Sequence, residues 1–322
     1  MNVLMTVMVA SVLGAGPDQP PDLTVRVRTS VKRSLPFLAM GAQQWIATKK
    51  CSACHHVPVF LWSHYEAEKR NFKIDPVVVA NMRRRMLSEY LAHPSFQPTP
   101  QDRAFTNSKI GLGAVYLTLG LRADKHADGR TETSLTKLLQ HFRKQQAANG
   151  SWKLKSSQPP LVDGDDVTTM LILLSLRRKP QSDSDREVRR RSLKWLKTSA
   201  PRKETQPIAL RVAILARYGT ASASRQATRE LLARQNTDGG WSQTTDRPSD
   251  ALATGEALYA LSRAGGITHQ SAIEKAWTFL TSTQRDDGSW LVHTRNPKGH
   301  DEVISYFGTG WATVGLITSL PK

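Results

Sequence analysis

Three short segments share the spacing Q-x-x-x-G-x-W: "QAANGSW" (146–152), "QNTDGGW" (235–241) and "QRDDGSW" (284–290). No other feature restricts the fold so strongly, because a motif repeated at long intervals marks a supersecondary unit copied along the chain. Each copy follows a helix-like stretch: "TSLTKLLQHFRKQ", "SRQATRELLAR" and "QSAIEKAWTFLTST". The Asn or Asp and the Gly ahead of each Trp are turn formers that end the helix. The Trp then folds back over the helix end, where its indole N–H meets carbonyls left free by a neighbouring helix C-terminus.

A second kind of helix follows each turn, apolar and rich in small residues. The series reads "DVTTMLILLSL" (166–176), "ALATGEALYALSRAG" (251–265) and "GTGWATVGLITSL" (308–320). Three more segments fit without a sharp turn before them: "VPVFLWSHYEAEKRNFKI" (57–74), "IGLGAVYLTLGL" (110–121) and "PIALRVAILARYG" (207–219). Charged, amphipathic partners begin near Leu35, Val77, Thr133, Arg186, Ser224 and Gln270. An amphipathic helix packs outside, whereas a nearly all-apolar one must be covered on both sides. Small residues such as Gly111, Gly113, Ala253 and Gly255 let inner helices approach closely. Six outer and six inner helices in alternation predict an all-α fold, a closed (α/α)6 toroid. An open helical array is the alternative; closure is preferred because it leaves no uncapped repeat end.

Composition agrees and narrows the partners. Aromatics are 7% of the chain with no long β-branched runs, and the formal charge is +18. Much of that charge sits in strings such as "MRRRM" (82–86) and "REVRRRSLKWLK" (186–197), read first as solvated outer helix faces. Such a surface would also hold the protein peripherally against an anionic membrane. Nucleic acid is excluded as a partner, since the basic residues are not interleaved with aromatics and no recognition motif is present. At the N-terminus, residues 1–16 read as a signal peptide: an apolar run too short to span a bilayer, ending in small residues. Residues 17–34 read as a basic, Pro-containing linker and 35–322 as the toroid. The expected location is therefore outside the cytoplasm of a bacterium, in the periplasm or cell envelope.

The turns, the segment "PSDALATGEALYAL" (248–261) and the ending "HDEVISYFGTGWATVGLITSLP" (300–321) resemble the squalene–hopene cyclase and prenyltransferase repeat superfamily. More closely, the chain is similar to exported bacterial squalene-cyclase-like proteins with a C-x-x-C-H string ahead of a single toroid. The resemblance covers roughly residues 35 to 322 and is specific for fold rather than activity. It implies an isoprenoid or other apolar ligand, with protonation-initiated (class II) cyclisation as the chemistry. Those cyclases carry a D-x-D-D string at a comparable helix start, and here "DGDD" occupies 163–166. Carried across, Asp165 is the proton donor, with Asp163 and Asp166 orienting it. Val167 departs from the usual Thr, which comes one place later at Thr168.

The chemistry asks for an acid kept protonated by crowding or burial, and for aromatic faces to steady a cation. Candidates for the latter are Phe60, Trp62, Tyr116, Tyr218, Tyr259, Tyr306, Phe307 and Trp311. The simpler reading of the acids is helix capping, since Asp suits the N-cap and first turn. Complete squalene cyclases enclose substrate between two helical domains, and this chain holds one. A prenyltransferase zinc site cannot be assembled, because no Cys follows residue 54.

"CSACHH" (51–56) contains both cysteines of the chain. Cys51, Cys54 and His55 match the pattern that attaches c-type haem, two thiols for the vinyl groups and a His for the iron. A local disulfide, metal or redox work and plain packing are the other readings of the string. These residues give one alternative function, a haem-bearing electron-transfer or sensor protein on a toroid scaffold, and the generic charged surface gives another, a non-catalytic interaction module.

Overall fold

A computed structural model describes residues 22–49, 55–92, 111–154, 159–177, 180, 182–199 and 202–321. Twelve helices follow one another in these residues: α1 (Leu23–Lys49), α2 (His56–Glu68), α3 (Pro76–Ala92), α4 (Leu112–Ala123), α5 (Gly129–Gln145), α6 (Asp165–Ser175), α7 (Asp183–Thr198), α8 (Thr205–Tyr218), α9 (Ala221–Leu232), α10 (Ala251–Arg263), α11 (Gln270–Thr283) and α12 (Asp301–Ser319). The even-numbered helices form the inner ring. Each packs against the next, and α12 returns to α2, so the ring closes. Their sequences explain the placement: every residue of α4 except Arg122 is buried, whereas α7 buries only Val188 and Ser192. The expected (α/α)6 toroid is the fold observed. Among the described residues the one sheet is a two-residue antiparallel pair, β1 (Trp241–Ser242) with β2 (Ser249–Asp250), in which Trp241 faces Asp250.

The repeated turns act as clamps. Indole N–H groups of Trp152, Trp241 and Trp290 donate to the carbonyls of Phe142, Leu231 and Leu280, at 2.7, 2.8 and 2.9 Å. Each acceptor lies in the last turn of the Trp's own preceding helix, not of a neighbouring one as the sequence reading had it. Backbone N–H groups of the same Trp residues donate to Thr169, Thr254 and Thr309, which fixes each turn to the inner helix that follows. The Gln of each turn reaches sideways to the next outer helix: Gln146 to Val188 O, Gln235 to Ala272 O and Gln284 to Ser30 O. The last of these joins α11 to α1 and seals the outer layer.

That seal corrects the N-terminal boundary. Residues 23–34, expected as linker, are the first twelve residues of α1. Val27, Val31, Leu35 and Leu38 recur at helical spacing and are buried. The basic side chains between them have specific partners: Arg26 donates to Thr281 Oγ1 and Arg33 to Arg285 O, while Arg28 lies 4.6 Å over the Phe72 ring. The proposed signal segment, 1–16, lies outside the described residues.

Close packing of the inner ring rests on small residues. A Cβ added to Gly255 would lie 2.5 Å from Ala312 N, and one on Gly315 would lie 2.5 Å from Gly255 O. Helices α10 and α12 therefore touch backbone to backbone.

Candidate functional site

The hole of the ring is filled. Trp62 on α2 meets Tyr259 on α10 with ring centres 5.7 Å apart, and Tyr116 on α4 meets Phe307 and Trp311 on α12 at 4.9 and 6.2 Å. These helices are not neighbours in the ring, so their side chains meet only across the axis. Trp62 and Tyr259 also stand edge-on to Trp311, at 4.8 and 5.7 Å, and the Trp311 indole N–H donates to Tyr116 Oη at 3.3 Å. Five of the aromatics singled out from sequence thus form one plug. Of the other three, Tyr306 donates to Leu38 O, Phe60 lies beside His64, and Tyr218 borders a groove on the flank.

Above the plug, at the end where inner helices begin, lies a buried polar layer. Gln206 on α8 donates to Glu256 Oε1 on α10 at 2.7 Å and accepts from Asp163 N at 2.9 Å. Arg295, from the segment before α12, bonds the Asp163 carboxylate across the axis and donates to Gln243 Oε1 at 2.8 Å. Burial pushes the Glu256 carboxyl well above the ordinary range, which favours its neutral form. Burial also raises Asp163, to about 6, against the pull of Arg295. Asp250, the N-cap of α10, is likewise raised to about 6 by burial. The layer formed by Asp163, Gln206, Gln243, Glu256 and Arg295 leaves no room for even one water molecule. Sequence reasoning missed Glu256, Gln206, Gln243 and Arg295, because no short spacing joins them.

The three acids of "DGDD" face three different surroundings. Asp163 is buried in the polar layer, and its Oδ2 has no hydrogen-bond partner among the described residues. Asp165, the expected proton donor, opens α6 with its side chain 42% exposed, 3.8 Å from Lys153 Nζ. As first residue of the helix, Asp165 turns out to the rim, away from the buried polar layer that holds Asp163. Asp166 faces an apolar groove on the flank of the toroid, and burial raises its pKa. The groove has a volume of about 620 Å³. It runs between α6, α7, α8 and α9, lined by Met170, Leu193, Leu196, Ile208, Ile214 and Leu215, with Lys197 and Arg211 also on its wall and Arg202 near Asp166.

At the first hairpin, Cys51 and Cys54 lie outside the described residues. His55 sits between α1 and α2 with its Nδ1 3.0 Å from His56 Nδ1. Its ring meets Trp45 edge-on at 5.1 Å, while His56 is stacked between Trp45 and Tyr306 at 4.0 and 3.9 Å. Burial lowers His55 to about 4 and His56 to about 2, so both imidazoles are neutral. No cluster of three or more metal-ligating His, Cys, Asp or Glu side chains occurs among the described residues.

No family model matches the chain. Over 69 residues it is 44% identical to the drimenyl diphosphate synthase of Streptantibioticus cattleyicolor, a stretch covering 21% of this chain and 13% of that enzyme. Among solved structures, the type II terpene cyclase MstE from Scytonema, held with merosterolic acid A, superposes with a TM-score of 0.61 at 14% identity, over 93% of this chain and 98% of that one. The unsaturated glucuronyl hydrolase of Bacillus sp. GL1 superposes with a TM-score of 0.59 at 14% identity, over 90% and 96%. The toroid is thus one that terpene cyclases and a carbohydrate-active enzyme share.

Proposed function

We propose that this protein binds an isoprenoid or comparable apolar molecule, and does so in the groove between α6 and α9 rather than on the toroid axis. The observation that carries the reading is the groove itself, an apolar cleft with an acid of the "DGDD" string at one end. Its volume falls in the range of small-molecule clefts, about 300–1,000 Å³. Between its two ends the axis offers no comparable apolar space, because the aromatic plug and the polar layer occupy it. Local identity to a drimenyl diphosphate synthase supports the ligand class, as does a fold shared with a cyclase solved with geranylgeranyl dihydroxybenzoate.

Binding is the core of the proposal. Protonation-initiated chemistry is its finer part, and it assigns the proton to Asp166, the string's one acid on the apolar wall. Asp165 pairs with Lys153 at the rim, and Asp163 is held by Arg295.

The test uses a dansyl-labelled farnesyl probe, read by fluorescence enhancement on the purified full chain. Ala223→Trp fills the groove from the half-buried side of α9 and should weaken probe binding about tenfold or more without lowering the melting temperature. Unchanged affinity in Ala223→Trp would remove the groove as the binding site. Asp166→Asn should leave probe binding intact and abolish any cyclised product found after incubation with geranylgeraniol.

A further inference from the structure

The opposite end of the axis has a different chemistry. Where the inner helices finish, residues from all six border an open cavity of about 690 Å³. Trp62 and Tyr259, the underside of the aromatic plug, form part of its wall. Five of the six inner helices carry an arginine within two residues of their last position: Arg70 after α2, Arg122 on α4, Arg177 after α6, Arg217 on α8 and Arg263 on α10. All five line the cavity with Lys69, and Glu66 is the one acid among the lining residues.

Helix capping accounts for part of this pattern, since cations suit the last turn of a helix. Arg122 Nε donates to Ser175 O at 3.0 Å, and Arg217 donates to Leu174 O and Leu176 O at 2.6 and 2.5 Å. Arg177 is also paired with Glu132, at 2.8 Å. Capping does not account for the convergence of these side chains on one cavity, or for the surplus of charge. Six cations line the cavity with one carboxylate, Glu66, while Glu132 meets Arg177 from outside the lining. Arg122 Nη2 is buried and has no hydrogen-bond partner among the described residues. Burial, with repulsion from Arg177 and Arg217, lowers Arg122 to about 10, and burial displaces Arg217 in the same direction.

We propose that this mouth binds a soluble phosphate ester carrying two or more negative charges. Guanidinium forks match phosphate oxygens in pairs, and the carbonyl bonds on Arg122 and Arg217 fix their planes before any ligand arrives. A single carboxylate would offset one of the excess charges, whereas a diphosphate meets several at once. The cavity exceeds a bare diphosphate, which places the organic part of the ester against Trp62 and Tyr259. The site lies at the other end of the axis from the polar layer and shares only α6 and α8 with the groove, so neither proposal depends on the other.

The experiment is titration calorimetry of the full chain with inorganic diphosphate near physiological ionic strength. Arg122→Gln/Arg263→Gln should weaken binding about tenfold or more. The control Arg186→Gln/Arg190→Gln removes equal charge from the outer face of α7 and should leave binding unchanged. Glu66→Gln removes the opposing carboxylate and should tighten binding about threefold, a gain that misfolding cannot imitate. Absence of binding, or equal weakening by both double variants, would overturn the site. So would binding to phosphatidic acid vesicles that diphosphate does not compete away, which would assign the charge to a membrane surface instead.

Discussion

Substituting Gly288 by Ala tests whether the third turn motif seals the ring through backbone contact. Gly288 has φ +85°, and Gly265, on the loop after α10, has φ +97°. Both are left-handed, so an alanine pays the same conformational cost at either, about 1 kcal/mol. The surroundings differ. A Cβ on Gly265 meets nothing within 4 Å, whereas one on Gly288 would press into the carbonyl oxygen of Arg33 and lie 2.6 Å from its carbonyl carbon. Arg33 belongs to α1, and backbone cannot yield as a flexible side chain does. Overpacking of this kind adds about 1–3 kcal/mol. Gly265→Ala should therefore cost ~1 kcal/mol and Gly288→Ala ~2–4 kcal/mol. Urea denaturation followed by far-ultraviolet circular dichroism measures both, provided the slopes with denaturant agree. Hydrogen exchange should localise the extra loss to residues 23–49. Equal losses in the two variants would refute the argument, because the contact with α1 would then contribute nothing.

Three further outcomes follow from the same geometry. Gln284→Leu removes bonds of 3.0 and 2.9 Å to Ser30 O and Gly288 O and should cost ~2–3 kcal/mol, with faster amide exchange at the start of α1. Glu256→Gln keeps the shape of the side chain and an oxygen to accept from Gln206, and should change stability by less than about 1 kcal/mol in thermal melts at pH 7.5, whereas Glu256→Ala should cost ~2–4 kcal/mol. His64, buried on α2 with its Nδ1–H donating to Phe60 O at 2.9 Å, is lowered by burial from 6.5 to about 4. A depressed histidine contributes stability that is present above pH 6.5 and lost as pH falls towards 4, here on the order of 3 kcal/mol. Asp163 and Asp250, both raised to about 6, act in the opposite sense over that range. The comparison is therefore wild type against His64→Gln, and the variant should show the shallower loss between pH 6.5 and 4.

The architecture was readable because its signals are local. A Gln, a Gly and a Trp within seven residues state a helix end, and alternation of charged and apolar segments states which layer each helix joins. The start of α1 was obscured by its basic residues, which read as linker. The register of Val27, Val31, Leu35 and Leu38 was the available evidence to the contrary. The acids show where local reading stops. "DGDD" marks a helix start, but only the winding of the chain decides that Asp163 faces inward, Asp165 outward and Asp166 along the groove. The polar layer is assembled from Asp163, Gln206, Gln243, Glu256 and Arg295, which no periodicity connects. The cationic mouth could have been found, because an arginine near the end of almost every inner helix is a repeat in its own right.

Gln284 and Ser30 are 254 residues apart, and they join the outer layer edge to edge. A ribosome adding about 5–20 residues per second needs on the order of ten seconds or more to make the intervening chain. Through that interval the apolar stripe of α1 has only α2 to cover it, and its partners α11 and α12 do not yet exist. Factors that shelter nascent chains would meet α1 at Val27, Val31 and Leu38, and would leave when α12 arrives.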